Sequence, residues 1–493
     1  MSVPAEEQSS DPSLTKTSED VWHRVHPISP MVRGWLAILA VLFVFGRDRV
    51  EGIFTGDVQD IPSEAIWWIV GAGSATVLII ALIFYLSWRF TRYQVTAEHV
   101  KVNSGVLFRQ QRQARLDRVQ AIDLGQPLLA RIFGLAELKF EVADAGESAV
   151  KLSFLKLQDA RRLRATILSR ASGDESPESP DQPEEAERPI LKLTAGRVLG
   201  ATLLSGATVF LILLAAIAVT LSVVFEQPLV ITGLLPVLIG IAASYWTMFS
   251  NSFNFRVSVL EDGIRLRYGL LDTRTQTIPP GRVQAVGVMQ SPLWRLTGWY
   301  KVSLNVAGYG GAAGGESGGR STLLPVGTRQ EVMELLALVL PDPGTEDPMG
   351  LFHAGLEGKN DDGGFTTSPR RVRWISPLTW RRNGFVVTRT ALVARSGAFW
   401  RYLAVVPHER TQSMALERGP LSRRFHAMDL VLHTTPGPVA LRVRQMDNRT
   451  AVELFDLQSA RAAEARKHSI GDRWRERPAS RDDAARSEED PHD

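Results

Sequence analysis

The chain has 493 residues, 44% hydrophobic and 22% charged, with a net charge of only +3. That length holds three or four domains, and the charge gives no overall field to recruit a polyanion. The basic residues form no run with interleaved aromatics, which argues against a nucleic-acid partner. The absence of cysteine excludes disulfides, thiolate metal sites and cysteine nucleophiles.

Residues 1–20 are acidic and Ser-rich with no basic n-region, so residues 1–30 read as a disordered lead-in with an interfacial segment rather than a signal peptide. Apolar runs free of ionisable residues follow in two pairs, Gly34–Gly46 with Ala65–Trp88 and Val198–Phe225 with Pro228–Phe249. A helix needs about 20 apolar residues to cross a bilayer. The last three runs meet that, and the first does so by borrowing Met31 to Arg33. The expectation is four transmembrane helices, one pair in 31–88 and one in 189–250. Spans without ionisable groups offer no proton relay or ion path. Arg24, Arg89, Arg92, Arg197 and Arg256 flank the pairs, while Glu226 and Gln227 alone join the second pair, so the positive-inside rule predicts a plasma-membrane protein with its N-terminus and long polar segments cytoplasmic. Arg47 and Arg49 dissent.

The polar segments repeat. Arg118-Val119-Gln120 is answered by Arg282-Val283-Gln284 and Arg410-Thr411-Gln412, and Gly105, Gly269 and Gly397 each stand thirteen residues upstream. Downstream, Pro127-Leu128 with Arg131 and Gly134 is matched by Pro292-Leu293 with Arg295 and Gly298, then by Pro420-Leu421 with Arg424 and Ala427. Period-two alternation around these landmarks predicts antiparallel strands. Each repeat then ends in a helix capped by Asp159, Thr328 or Asp447, the second placing Arg329 on its outer face. The repeats occupy 89–171, 251–341 and 371–467. An acidic Pro-rich linker (172–188), a flexible Gly/Asp-rich linker (342–370) and a disordered charged tail (468–493) separate or follow them.

This arrangement resembles the bacterial pleckstrin-homology (PH) domain family in its multi-copy, multi-pass membrane form, the YdbT-like proteins. The resemblance implies three small seven-stranded antiparallel β-barrels, each capped by its C-terminal helix. The fold class is therefore membrane α plus β. The resemblance brings no established reaction or ligand. The third repeat departs most, with Thr411 for Val, Arg418 for Gln and Ala427 for Gly.

No catalytic, cofactor-binding or metal residues are assigned. Gly315-Glu316-Ser317-Gly318-Gly319 matches a hydrolase elbow only in letters, because it lies in a Gly-rich run rather than between strand and helix. His23 and His26 lack further ligands at metal spacing. The recurring pairs Arg118/Gln120, Arg282/Gln284 and Arg410/Gln412 are the recognition or fold-signature residues. At i and i+2 of a strand they share a face, where they would bind a phosphate or brace a neighbouring loop. The bracing role is favoured. The function expected is a non-enzymatic membrane binding and assembly protein, without cofactor, whose domains engage protein partners or each other. The alternative is a lipid-headgroup sensor or envelope-stress factor with anionic lipid as partner.

Overall fold

The computed structural model describes residues 22–32, 34, 63–96, 99–105, 109–115, 119–142, 150–172, 189–225, 235–260, 263–279, 281–307 and 321–468. The chain divides into two compact units, 1–185 and 186–493.

In the first unit, β1 (His23–Arg24) is followed by α1 (Ser63–Phe90), then β2 (Arg92–Val95), β3 (His99–Ser104) and β4 (Gln110–Arg115). These four strands form one antiparallel sheet in sequence order. β5 (Val119–Gln126), β6 (Leu135–Val142) and β7 (Val150–Lys156) pair antiparallel with β6 central, α2 (Leu128–Ile132) bridges β5 to β6, and α3 (Leu157–Ser172) closes the repeat. Alternation decides which residues face inward: Val100 and Val102, Ile122 and Leu124, and Leu138 and Phe140 meet Leu152 and Ile167 in one core.

The second unit holds the next two repeats. β8 (Pro189–Lys192), α4 (Ala195–Leu203), α5 (Gly206–Phe225) and α6 (Leu235–Ser252) precede β9 (Arg256–Leu260), β10 (Gly263–Tyr268) and β11 (Thr273–Ile278), and β8 pairs with β9 across the intervening helices. Then come β12 (Val283–Gln290), β13 (Tyr300–Val306), β14 (Thr322–Gly327) and α7 (Arg329–Val339). The third repeat comprises α8 (Pro348–Leu356), β15 (Thr366–Thr367), β16 (Gly384–Val387), β17 (Ala391–Ser396), β18 (Arg401–Pro407), β19 (Ser413–Glu417), α9 (Pro420–Arg424), β20 (Ala427–His433), β21 (Leu441–Asp447) and α10 (Asn448–His468).

Among the described residues each repeat thus has seven strands and a final helix, but no barrel closes. The expected barrels give way to split sheets because β12 spends its free edge on the next repeat. One seven-stranded sheet runs β14-β13-β12-β18-β17-β16-β15 across both repeats. An edge strand's unpaired amides must go somewhere, and here the neighbouring repeat takes them.

The expectation of four spans also changes. Among the described residues two helical stretches, Gly73–Phe90 and Ala195–Val224, are long and apolar enough to cross a bilayer, and nearly all of their surface is uncovered by protein. The first expected span lies almost wholly outside the described residues. The fourth is present as α6, but polar residues from Tyr245 to Ser252 dilute its hydropathy. Residues 342–370, read above as a linker, contain α8 and β15, because Phe352 and Leu356 sit one helical turn apart and are both buried.

The recurrent glycines have a backbone cause. Gly105, Gly269 and Gly397 have φ of 106°, 116° and 80°. A Cβ at Gly269 or Gly397 would also lie 1.9 Å from the carbonyl oxygen three residues on.

Candidate functional site: the junction between repeats

Of the six signature residues, Arg118 lies outside the described residues. Gln120 and Gln284 stand where β5 and β12 slip register against their partners, between Val119 and Ala121 and between Val283 and Ala285. A β-bulge inserts one residue and cancels the two-residue periodicity, so Arg282 and Gln284 do not project together as the sequence implied. Gln284 is buried, and its Nε2 donates to the Arg282 carbonyl at 3.4 Å. The Ala307 amide donates to the same oxygen at 2.9 Å. In the third repeat the signature takes another form. Arg410 ends a 3-10 turn, and the amide of exposed Gln412 donates to the His433 carbonyl at 3.0 Å. The buried neighbour His408 is held on both nitrogens, by Gln458 Nε2 at 3.0 Å and the Thr388 carbonyl at 3.1 Å. Burial and the Arg461 charge push its pKa below the ordinary value, the Thr388 bond and Glu409 opposing them.

The structure concentrates its polar chemistry where the second and third repeats join. β12 and β18 pair antiparallel, Val286 opposite Val405 through Gln290 opposite Arg401. Gly287 leaves room there for Tyr402, whose hydroxyl would lie within 2.7 Å of a Cβ. Ala285 sits in the core of the third repeat with Leu392, Ala404 and Leu430. Arg295, from the Pro-Leu turn signature of repeat two, donates to the Ala398 carbonyl at 2.6 Å and also to that of Phe399. Two repeat signatures therefore meet: the Pro-Leu turn of one repeat clamps the glycine hairpin of the next.

Asn305 closes the far side of the junction. It is 2% exposed. Its Nδ2 donates to the Val439 carbonyl at 2.7 Å, and its Oδ1 accepts from the Val439 amide at 2.9 Å. Further contacts reach Thr434 Oγ1 at 3.1 Å and the Thr435 carbonyl at 3.3 Å. Asn305 stands in for a strand partner at the β20–β21 hairpin.

Beneath this seam lie two buried arginines, Arg382 and Arg395, at 4% and 1% exposure. Arg382 donates to the carbonyls of Gly397 (2.8 Å), Gly358 (2.7 Å) and Gly355 (3.0 Å). Arg395 donates to that of Ala354 at 2.7 Å and to Asn360, and packs 4.2 Å over the Phe365 ring. Burial pushes both guanidinium groups down to about 10, repulsion from Arg401, Arg395 and Arg295 adding to it at Arg382. Both remain cationic at neutral pH and hold loop carbonyls together.

Other candidates disperse. The His23 ring packs against Tyr93 at 5.6 Å, tilted by 32°, and His26 Nδ1 accepts from the Ile28 amide at 3.4 Å. Ser317 lies outside the described residues. No group of three or more metal-binding side chains occurs among the described residues. Arg329, expected on an outer face, ion-pairs with Glu357. Arg197 on α4 grips Glu331 at 2.6 and 2.8 Å, fixing α4 to the capping box of α7. Partial burial pushes the Glu331 carboxyl up, but bonds from Arg197 and Thr328 outweigh it and hold its pKa below the ordinary value.

Sequence reasoning found Arg295 only as part of a turn motif and missed Asn305, Arg382 and Arg395. No local signal marks a buried polar residue whose partners lie far along the chain, in another repeat for Asn305 and in distant loops of its own repeat for Arg382 and Arg395.

Comparison with known proteins agrees with the threefold architecture. The model of the family described as "Bacterial PH domain" matches residues 37–171, 198–340 and 366–466. The UPF0699 transmembrane protein YdbT of Bacillus subtilis (strain 168) is 23% identical over 315 residues, 56% of this chain and 62% of that protein, so the chain spans less than two thirds of its relative. No solved structure matches.

Proposed function

Because the chain belongs to the bacterial PH domain family and is a membrane protein, we propose that it is a non-enzymatic binding and assembly protein. Its PH-like domains lie on the cytoplasmic side and engage protein partners close to the bilayer. The β12–β18 seam carries this reading: the edges of these domains already serve as a protein–protein contact inside the chain. The absence of a closed barrel leaves such edges available.

Strand pairing bears on topology. β8 and β9 are hydrogen-bonded neighbours although α4, α5 and α6 separate them in sequence, and a strand pair cannot straddle a bilayer. An even number of crossings must lie between them, so α6 supplies the return for α5, to which Thr208 and Tyr245 tie it at 2.6 Å. β1 and β2 are likewise hydrogen-bonded neighbours around α1, which supports the same parity there. These pairings support a reading of four crossings in two hairpins with every domain on one face, and the basic flanks support a cytoplasmic face.

The test is photo-crosslinking of full-length protein in native membranes from probes at exposed sheet edges, with the adducts identified by mass spectrometry. Reproducible protein adducts support the proposal, and exclusive capture of lipid overturns it. One observation favours the lipid alternative: exposed Trp400, next in sequence to exposed Phe399, lies beside the N-terminus of α5, 3.2 Å from where a Cβ of residue 206 would stand. Aromatic side chains at the base of a span suit the headgroup layer. A saturable preference of nanodisc-embedded protein for one anionic lipid, retained at high salt, would favour that reading.

A further inference from the structure

The seam between repeats two and three is built from two halves that recur in the chain. One half is the fifth strand of a repeat with the Pro-Leu turn behind it, here β12 and Arg295. The other is the fourth strand of the next repeat with its glycine hairpin, here β18 and Gly397. Each half also occurs at a terminal repeat with strand pairing on one side only among the described residues. β19, the fifth strand of repeat three, pairs with β20, and β4, the fourth strand of repeat one, pairs with β3.

Both edges are accessible. Gln110, Gln111, Arg112 and Gln113 on β4 are exposed, and Met414, Ala415 and Leu416 on β19 are half-buried. The turn behind β19 presents exposed Arg423 and Arg424 where Arg295 clamps its hairpin in repeat two. At the other end Gly105 holds the same left-handed turn as Gly397, with φ of 106° against 80°. The formal charges do not oppose union, since β19 carries Glu417, ion-paired with Arg442, while β4 carries Arg112 and Arg115.

We propose that β19 of one chain pairs antiparallel with β4 of a second copy of this chain, reproducing the internal seam between molecules. The proposal rests on the reading of these domains as protein-binding modules. Translating the β12–β18 register through the repeat places Met414 opposite Gln113, Ala415 opposite Arg112, Leu416 opposite Gln111 and Glu417 opposite Gln110. The contact joins two different surfaces, so it propagates into a ring or an open row rather than stopping at a twofold dimer. Membrane anchorage confines that row to the plane of the bilayer.

The natural absence of cysteine makes a disulfide test clean. Full-length chains carrying Leu416→Cys with one tag and Gln111→Cys with another are co-expressed, and their membranes are oxidised. The expected result is a two-tag dimer. It should be lost when the second cysteine moves to Gln110, whose side chain lies on the opposite face of the strand. A chain bearing both Leu416→Cys and Gln111→Cys should give a ladder of multimers. No two-tag product, or closure of the doubly substituted chain on itself without multimers, overturns the proposal. A photoprobe at Gln111 separates the two levels. Capture of an unrelated protein refutes self-pairing but keeps the binding-module reading, whereas capture of lipid alone from every edge refutes both.

Discussion

Replacing Asn305 by alanine is expected to weaken the join between repeats two and three. The side chain is almost fully buried and serves both polar groups of Val439, at 2.7 and 2.9 Å. Alanine fills neither role, and each stranded buried group costs about 1–3 kcal/mol. The two together give about 2–6 kcal/mol. The structure also fixes a coupling. A Cβ at Gly437 would lie 2.2 Å from Asn305 Oδ1, so Gly437→Ala clashes in the native protein and finds space once Asn305 is alanine. Thermal melting of the full-length protein in detergent, for both single variants and the double variant, measures the cycle. Gly437→Ala should cost clearly less in the Asn305→Ala background. An Asn305→Ala protein within about 0.5 kcal/mol of wild type, or strictly additive variants, would refute the bridging role.

Three further outcomes follow from the same geometry. His426, exposed and with φ of 52°, occupies a left-handed position that costs a side-chain-bearing residue about 1–2 kcal/mol, so His426→Gly should raise the melting temperature, and an unchanged or lower value contradicts the assignment. His408 is held neutral by burial, so the unfolded chain binds the extra proton as pH falls below the ordinary histidine value of 6.5. Stability is then complete above about pH 6.5 and declines below it, and His408→Gln should flatten that slope in melting curves taken from pH 7.5 to 5.5. For topology, Gln227→Cys should react with an impermeant maleimide in intact cells while Lys359→Cys, at an exposed position of repeat three, should not. Labelling of Lys359→Cys would place the domains outside.

What could be read from the sequence was whatever is local. Gly105, Gly269 and Gly397 announced themselves because each needs a positive φ at the same point of the repeat. The strands were visible through alternation, and the Thr328 helix cap through its residue type, although its Glu331 partner was not singled out. Non-local pairing was not legible. The bulge at Gln284 cancels the two-residue period on which the Arg-x-Gln face was argued. Asn305 looks like any polar strand residue until Val439, 134 positions away, is in view. Barrel closure failed as an expectation because nothing local tells a strand edge whether it will meet its own repeat or the next. The alignment of repeat three shifted by one residue for a related reason. Gly134 and His426 share φ near 60° and both offer their carbonyl to the amide that opens the final helix, so His426, not Ala427, holds the glycine position.

The most direct test of repeats joined by their edges is a cysteine pair across the seam within one chain. Met289 and Tyr402 face each other on β12 and β18, and Ser396 faces Tyr402 on β17 and β18 within repeat three. In native membranes the Met289→Cys/Tyr402→Cys protein should oxidise to an internally cross-linked monomer as readily as the Ser396→Cys/Tyr402→Cys protein. If the latter closes and the former stays reduced, β12 does not pair with β18 and the domains are not joined as described.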